Sequence, residues 1–377
     1  MTIRNCPLSL VFPTTYIQPR MSSIVYYITG HGFGHAVRSN QVIRSLRKAR
    51  PDLRIHVRTT APSWLFHDSV IYHPQSIDVG IRQLDSLSMG LVDTLDACRV
   101  LHQSFPKLID QEVELIKSER VKLVIGDIPP LCFEIAARAS VLSVAITNFS
   151  WDVIYRAYLR EYPDFLPLVE EIESFYNKAG LALTLPYPCD LNVFPRREPI
   201  PWLARFSSLS KAQARTKFKL PASATTILLS FGGLGLERLP WEKLRRLRDY
   251  FFVATGKADI SDGNLLVLPD EQPQYEDLVR AVDAIVTKPG YGIVADAIAH
   301  QLPMLYTDRG EFPEYPRLVE ALRDCATAEF IPQSELLSGN IAPYLQALLQ
   351  KPPNWPAVAL NGAQVAAEKI IKLLDNS

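Results

Sequence analysis

The sequence has no net charge, no paired cysteines at metal-binding spacing, and no apolar run of membrane length. Each absence excludes something. Lys plus Arg number 40, as do Asp plus Glu, so no overall basic surplus points to nucleic acid. The five cysteines, Cys6, Cys98, Cys132, Cys189 and Cys325, are far apart and odd in number. That pattern argues against a disulfide framework or a structural zinc site, and it fits a reducing, cytoplasmic compartment. No apolar stretch reaches the ~18 residues of a membrane helix. Residues 1–20 hold only the short apolar centre PLSLVF, too weak for a secretory leader. They read as a disordered extension, or as sequence upstream of a start at Met21.

What is present is length and alternation. The 377 residues exceed one compact core and suit two domains of ~150–200 residues each. Strand-like and helix-like segments alternate, the signature of parallel α/β architecture. The first half opens with the strand SIVYYITG, a helix from about His35 to Arg50, and the strand RIHVRTT. A long helical region follows from about Asp85 to Arg120, then the strands VKLVIGDI and LSVAITN with a helix between them. Their almost wholly apolar character predicts helices on both faces of the sheet. The stretch from about Tyr187 to Pro221 is rich in proline and basic residues, and it reads as the interdomain connection, with a short helix near SKAQARTKF. A second run then begins with TTILLSFGG. The division expected is 21–192, a linker at 193–222, and 223–377 with a closing C-terminal helix, two Rossmann-like α/β domains facing a cleft.

Ligands of such sheets bind at the carboxyl ends of the strands, so three glycine loops draw interest. The first is ITGHGFGH, with His31, Gly32, Gly34 and His35. Glycine lets the backbone approach a ligand, and the following helix N-terminus favours an anion. Its G-x-G-x-G spacing is not the dinucleotide G-x-G-x-x-G. The second strand also ends in Arg58-Thr59-Thr60 with no acid, which argues against NAD. The histidines lack a third ligand nearby in sequence, which argues against a metal. The second loop is SFGGLG, with Gly232, Gly233 and Gly235. The third is KPGYGIVAD: Lys288, Gly290, Tyr291 and Gly292 ahead of a helix suit a diphosphate, and Asp296 suits a ribose. Asp296 alone also reads as a solvated helix carboxylate.

This constellation resembles the GT-B glycosyltransferases, a superfamily that includes the UDP-glycosyltransferases and the bacterial enzyme adding N-acetylglucosamine to lipid I. Their donor motif runs His-x-Gly-x-x-Ser-x-x-Glu, then Gly-x-Pro. Here Lys288, Gly290, Ile293 and Asp296 take those places, and Leu302-Pro303 takes the place of the ending. Gly34-His35 matches the Gly-His pair of the family's first loop, and SFGGLG matches the loop opening its donor domain. A nearer resemblance is to the glycosyltransferase-like N-terminal region of plant-type L-arabinokinases. It rests on Tyr26 to His35, Asn148-Phe149-Ser150-Trp151-Asp152, and Tyr306-Thr307-Asp308-Arg309-Gly310. It spans most of Ile24 to Leu374. Their sugar-kinase half has no counterpart among these residues, so kinase activity is not carried over. Two departures stand out: Ile293 removes a phosphate-binding hydroxyl, and Glu311 to Glu314 replace the usual Asp-Gln pair.

The resemblance implies transfer of a sugar from a UDP-sugar to an acceptor hydroxyl, by inversion, without a metal or other cofactor. His35 is then the general base, with His31 the alternative, because imidazole titrates near neutrality. Asp127, ending VKLVIGD, would orient that histidine; its other reading is an N-cap for PPLCFEIAA. Backbone N–H groups of Gly232, Gly233 and Gly290, with Lys288, would take the leaving-group charge. Leu268 lies near the expected base pocket, and Glu311 and Glu314 near the donor sugar. Phe149, Trp151 and Tyr155 are candidates for stacking on an acceptor, or for the core. The expected partners are a nucleotide sugar and a hydroxyl acceptor, with membrane contact only if that acceptor is a lipid. Two other readings stay open: a non-catalytic nucleotide-sugar-binding module, and a UDP-sugar epimerase on the same fold.

Overall fold

A computed structural model describes residues 22–66, 70–82, 89–231, 239–256, 260–272 and 274–376. The first half holds β1 (Ser23–Ile28), β2 (Arg54–Thr59), β3 (Val70–Pro74), β4 (Val121–Asp127), β5 (Leu142–Thr147), β6 (Leu181–Thr184) and β7 (Arg197–Pro199). They form one parallel sheet in the order β3-β2-β1-β4-β5-β6-β7. The second half holds β8 (Thr225–Ser230), β9 (Tyr250–Gly256), β10 (Ile260–Asp262), β11 (Leu265–Pro269), β12 (Ala284–Thr287), β13 (Met304–Tyr306) and β14 (Ala328–Phe330). Their order is β10-β11-β9-β8-β12-β13-β14, parallel apart from the antiparallel β10–β11 edge. The architecture is the expected pair of parallel α/β sheets.

β1 is buried along its whole length, as a central strand covered on both faces must be. β3 escapes a sequence reading because it is a short edge strand with no buried residue, only exposed and half-buried ones. The long helical region is two helices in its described part, Leu91–Gln103 and Phe105–Ser118. Pro106 in the first turn of the second explains the break, since proline starts helices but cannot continue them. The proline-rich connection is more than a tether. It supplies β7 and a helix at Lys211–Lys217, closed by a reciprocal Ser210–Gln213 capping box.

One apolar cluster runs through both halves, from Ile24 and Leu46 through Trp202 and Leu203 to Val294, Leu318 and Ile370. The C-terminal helix Gly362–Asp375 leaves the second half and packs on the first-half helix Phe33–Ala49. Arg50 meets Asp375 there at 3.0 Å. Gly362 is required at the crossing, because a Cβ would lie 2.1 Å from the carbonyl oxygen of Pro201. Among the described residues, no helix is long and apolar enough to cross a membrane.

Candidate active site

Both sheets reverse their strand order at one place, between β1 and β4 and between β8 and β12. Such switch points open a crevice at the strand carboxyl ends, and the glycine loops lie there. The first loop leaves β1 and enters the Phe33–Ala49 helix. Gly32 is its N-cap, at φ 69°, and no side chain caps the helix. Added Cβ atoms at Gly32 or Gly34 would meet nothing within 4 Å, so both face open space. Gly232, Gly233 and Gly235 lie outside the described residues. The third loop leaves β12 with Lys288 half-buried and enters the Tyr291–His300 helix. Gly290 is the N-cap there, again with no side-chain cap and no acid in the first turn. Gly290 and Gly292 also border open space.

His35 and Asp127 meet. The β1–β4 register sets Ile28 beside Asp127, and one further helical turn brings His35 above it. His35 Nδ1 lies 2.8 Å from Asp127 Oδ1. A carboxylate only accepts, so Nδ1 carries a proton toward it, and in the neutral ring Nε2 is then the acceptor. Arg38 Nε donates to Asp127 Oδ2 at 2.7 Å and Nη2 to Oδ1 at 2.5 Å, while Ser39 Oγ donates to Oδ2 at 2.9 Å. Arg38 Nη2 is also 3.0 Å from His35 Nδ1. Asp127 is fully buried. Burial alone would raise its pKa, but the charges of Arg38 and His35 and their hydrogen bonds outweigh that and hold it far below the usual carboxylate range. Asp127 is not a helix cap: the next helix, Leu131–Ala139, has Pro130 at its N-cap and no side-chain cap.

The network continues across the cleft. Arg38 Nη1 donates to Asn148 Oδ1 at 2.7 Å, and Asn148 Nδ2 donates to Glu314 Oε1 at 2.7 Å. Glu314 Oε2 in turn accepts from Arg309 Nη1 at 2.9 Å. Sequence reading passed over Arg38. The signal was there: His35, Arg38 and Ser39 are polar residues on the core-facing stripe that Val42 and Leu46 continue.

His31 stands beside this pair, half-buried, with its ring edge-on to Trp151 at 5.4 Å. Burial lowers its pKa to about 3, helped by the nearby charges of His35, Arg309 and Lys288. Asp78 also belongs to this wall and was missed by sequence reading: Trp151 Nε1 donates to its Oδ2 at 2.8 Å. Burial raises the pKa of Asp78. Phe149, Trp151 and Tyr155 do not line an open acceptor surface. They are 2%, 1% and 3% exposed, and Phe149 sits edge-on to His35 at 5.4 Å. Trp151 packs on His31, Phe149 on His35, and Tyr155 stacks on Trp151 at 5.9 Å.

The remaining expected contacts spread out. Both oxygens of Asp296 are occupied: Arg205 backbone N donates to Oδ1 at 3.0 Å, and Arg205 Nε and Nη2 donate to Oδ2, the former at 2.9 Å. It is a buried ion pair, not a solvated carboxylate. Tyr291 turns toward the first half, stacked on Trp202 at 5.0 Å with Arg38 over its ring. Leu268 is half-buried at the end of β11. Glu311 is exposed, and its carbonyl accepts from Tyr158 Oη at 3.0 Å. Among the described residues, no group of three or more His, Cys, Asp or Glu side chains is arranged to hold a metal.

Known proteins share this fold. Residues 22–163 match the family model described as glycosyl transferase family 1. The glycotransferase of kitacinnamycin superposes with a TM-score of 0.61 at 19% identity, covering 94% of this chain and 100% of its own. The chain shares the two-domain fold of that enzyme. Staphylococcus aureus MnaA, solved with UDP, superposes with a TM-score of 0.58 at 16% identity, covering 93% and 95% of the two chains. L-arabinokinase of Arabidopsis thaliana is 28% identical over 355 residues, 91% of this chain and 33% of that protein. The chain thus spans about a third of the length of this curated relative.

Proposed function

We propose that this chain moves a sugar from a UDP-sugar to an acceptor hydroxyl, with inversion and with His35 as general base. The observation that carries the reading is the His35–Asp127 pair at one switch point, facing an uncapped helix N-terminus and Lys288 at the other. The first half would receive the acceptor and the second the donor. The acceptor oxygen attacks the anomeric carbon as its proton passes to His35 Nε2, and the bond to the diphosphate oxygen breaks. Asp127 would then face an imidazolium. The departing diphosphate would gather charge at the Tyr291–His300 N-terminus, with Lys288 as a cation. Asp296 would meet a ribose only by exchanging Arg205 for its hydroxyls.

The test is a thermal-shift panel of nucleotide sugars followed by a diphosphate-release assay with sugar, phenol and lipid acceptors. UDP-sugars should stabilise the protein, and His35→Ala should lower turnover about 10²–10⁴-fold while leaving donor binding in place. No shift with any nucleotide sugar refutes the proposal. One observation favours a second reading, a nucleotide-sugar-binding module without turnover: Arg38 already occupies both oxygens of Asp127. Binding of UDP-sugar without diphosphate release, unaffected by His35→Ala, selects it.

A further inference from the structure

The Tyr291–His300 helix offers a diphosphate little beyond its backbone. Its first turn reads Tyr291, Gly292, Ile293, with no hydroxyl aimed from a serine or threonine and no side-chain cap. Tyr291 is turned away onto Trp202. A neighbouring loop brings a cation to this spot. Arg309 follows β13, and its Nη1 donates to the carbonyl oxygen of Pro289 at 3.1 Å, inside the Lys288–Gly290 loop. Phe312 covers one face of the guanidinium at 4.4 Å. Glu314 takes the same Nη1 at 2.9 Å. The guanidinium is thus fixed at one nitrogen and one face. Its Nε and Nη2 have no hydrogen-bond partner among the described residues. Earlier in the same loop, Thr307 Oγ1 is buried and has no hydrogen-bond partner among the described residues. The charge reaches across the cleft, because Arg309 and Lys288 both oppose protonation of His31.

We propose that Arg309 binds the leaving diphosphate through Nε and Nη2, supplying the contact that Ile293 does not. Two parallel N–H donors in a rigid fork match phosphate oxygens better than a single ammonium. Glu314 holds the fork in place, and because it also accepts from Asn148, the phosphate-binding cation is anchored to the half that carries the base. Glu314 is therefore a positioning residue, not a sugar contact. The inference rests on the diphosphate reading above, and its test separates the two.

Binding of UDP and of inorganic pyrophosphate to wild type, Arg309→Ala and Arg309→Lys is measured by calorimetry, with folding checked by circular dichroism. Arg309→Ala should weaken both ligands about 10- to 100-fold, and Arg309→Lys should weaken them less. Arg323→Ala, an exposed arginine of the next helix, should bind both as wild type does. A folded Arg309→Ala protein with wild-type affinity overturns the assignment. A wild type that binds pyrophosphate through Arg309 but no UDP-sugar upholds the assignment and refutes the nucleotide-sugar reading. Wild type binding neither overturns both. A wild-type crystal with pyrophosphate needs no variant to fold: the anion within hydrogen-bond distance of Arg309 supports the proposal, and an anion bound elsewhere overturns it.

Discussion

Removing the Asp127 carboxylate should be costly to the fold, and the cost should vanish when Arg38 goes too. Arg38 is 3% exposed and gives two of its hydrogen bonds to Asp127. In Asp127→Ala those donors and Ser39 Oγ lose their acceptor in a dry interior. Asn148 and the Tyr291 ring continue to hold the guanidinium. Breaking a buried ion pair from one side costs about 3–5 kcal/mol, whereas replacing both partners by apolar groups is often near neutral. Asp127→Ala should therefore lose about 3–5 kcal/mol, and Arg38→Met with Asp127→Ala should recover most of it. Urea denaturation followed by tryptophan fluorescence reads this directly, since Trp151 lies in the same wall. Both proteins should be inactive in sugar transfer, which keeps stability and chemistry apart. A loss under about 1 kcal/mol for Asp127→Ala, or no recovery in the double variant, would refute the reading of Arg38 and Asp127 as a buried ion pair whose partners depend on each other.

His31, its pKa lowered to about 3, binds fewer protons folded than unfolded. The stability it contributes is full above its unfolded pKa near 6.5 and is lost as pH falls toward 3. His31→Gln should flatten the stability–pH curve between pH 6.5 and 5 by up to about 2 kcal/mol, read by denaturant titration at each pH. Asp152 has the opposite sign. Burial raises its pKa to about 6, and its Oδ1 has no hydrogen-bond partner among the described residues, so its contribution is full at low pH and lost as pH rises through 6. Asp152→Asn should be more stable than wild type at pH 8 by about 2 kcal/mol; a less stable variant contradicts this. Gly80 sits at φ 67°, where a Cβ would lie 2.8 Å from His31 Cβ. Gly80→Ala should cost at least about 1–2 kcal/mol of backbone strain and displace the His31 ring, visible as a shifted imidazole NMR signal.

The sequence by itself determined the two-sheet architecture, because uninterrupted apolar strands alternating with helices have few other ways to bury both faces. It also located the loops at the strand ends, since glycine-rich turns into helices are local features. His35 and Asp127 could be named as a pair from their loop and strand positions, but their contact needed the parallel β1–β4 register. Tertiary structure alone decided which charges are already spent. Arg205 lies 91 residues from Asp296, and no local pattern shows that it fills that carboxylate. Glu314 lies 166 residues from Asn148, yet their hydrogen bond joins the two halves. Buried charges must find partners wherever the fold brings them, so long-range topology, not neighbouring sequence, sets their identity. That is why the partners of Arg38, Arg309 and Asp78 emerged only from the folded chain.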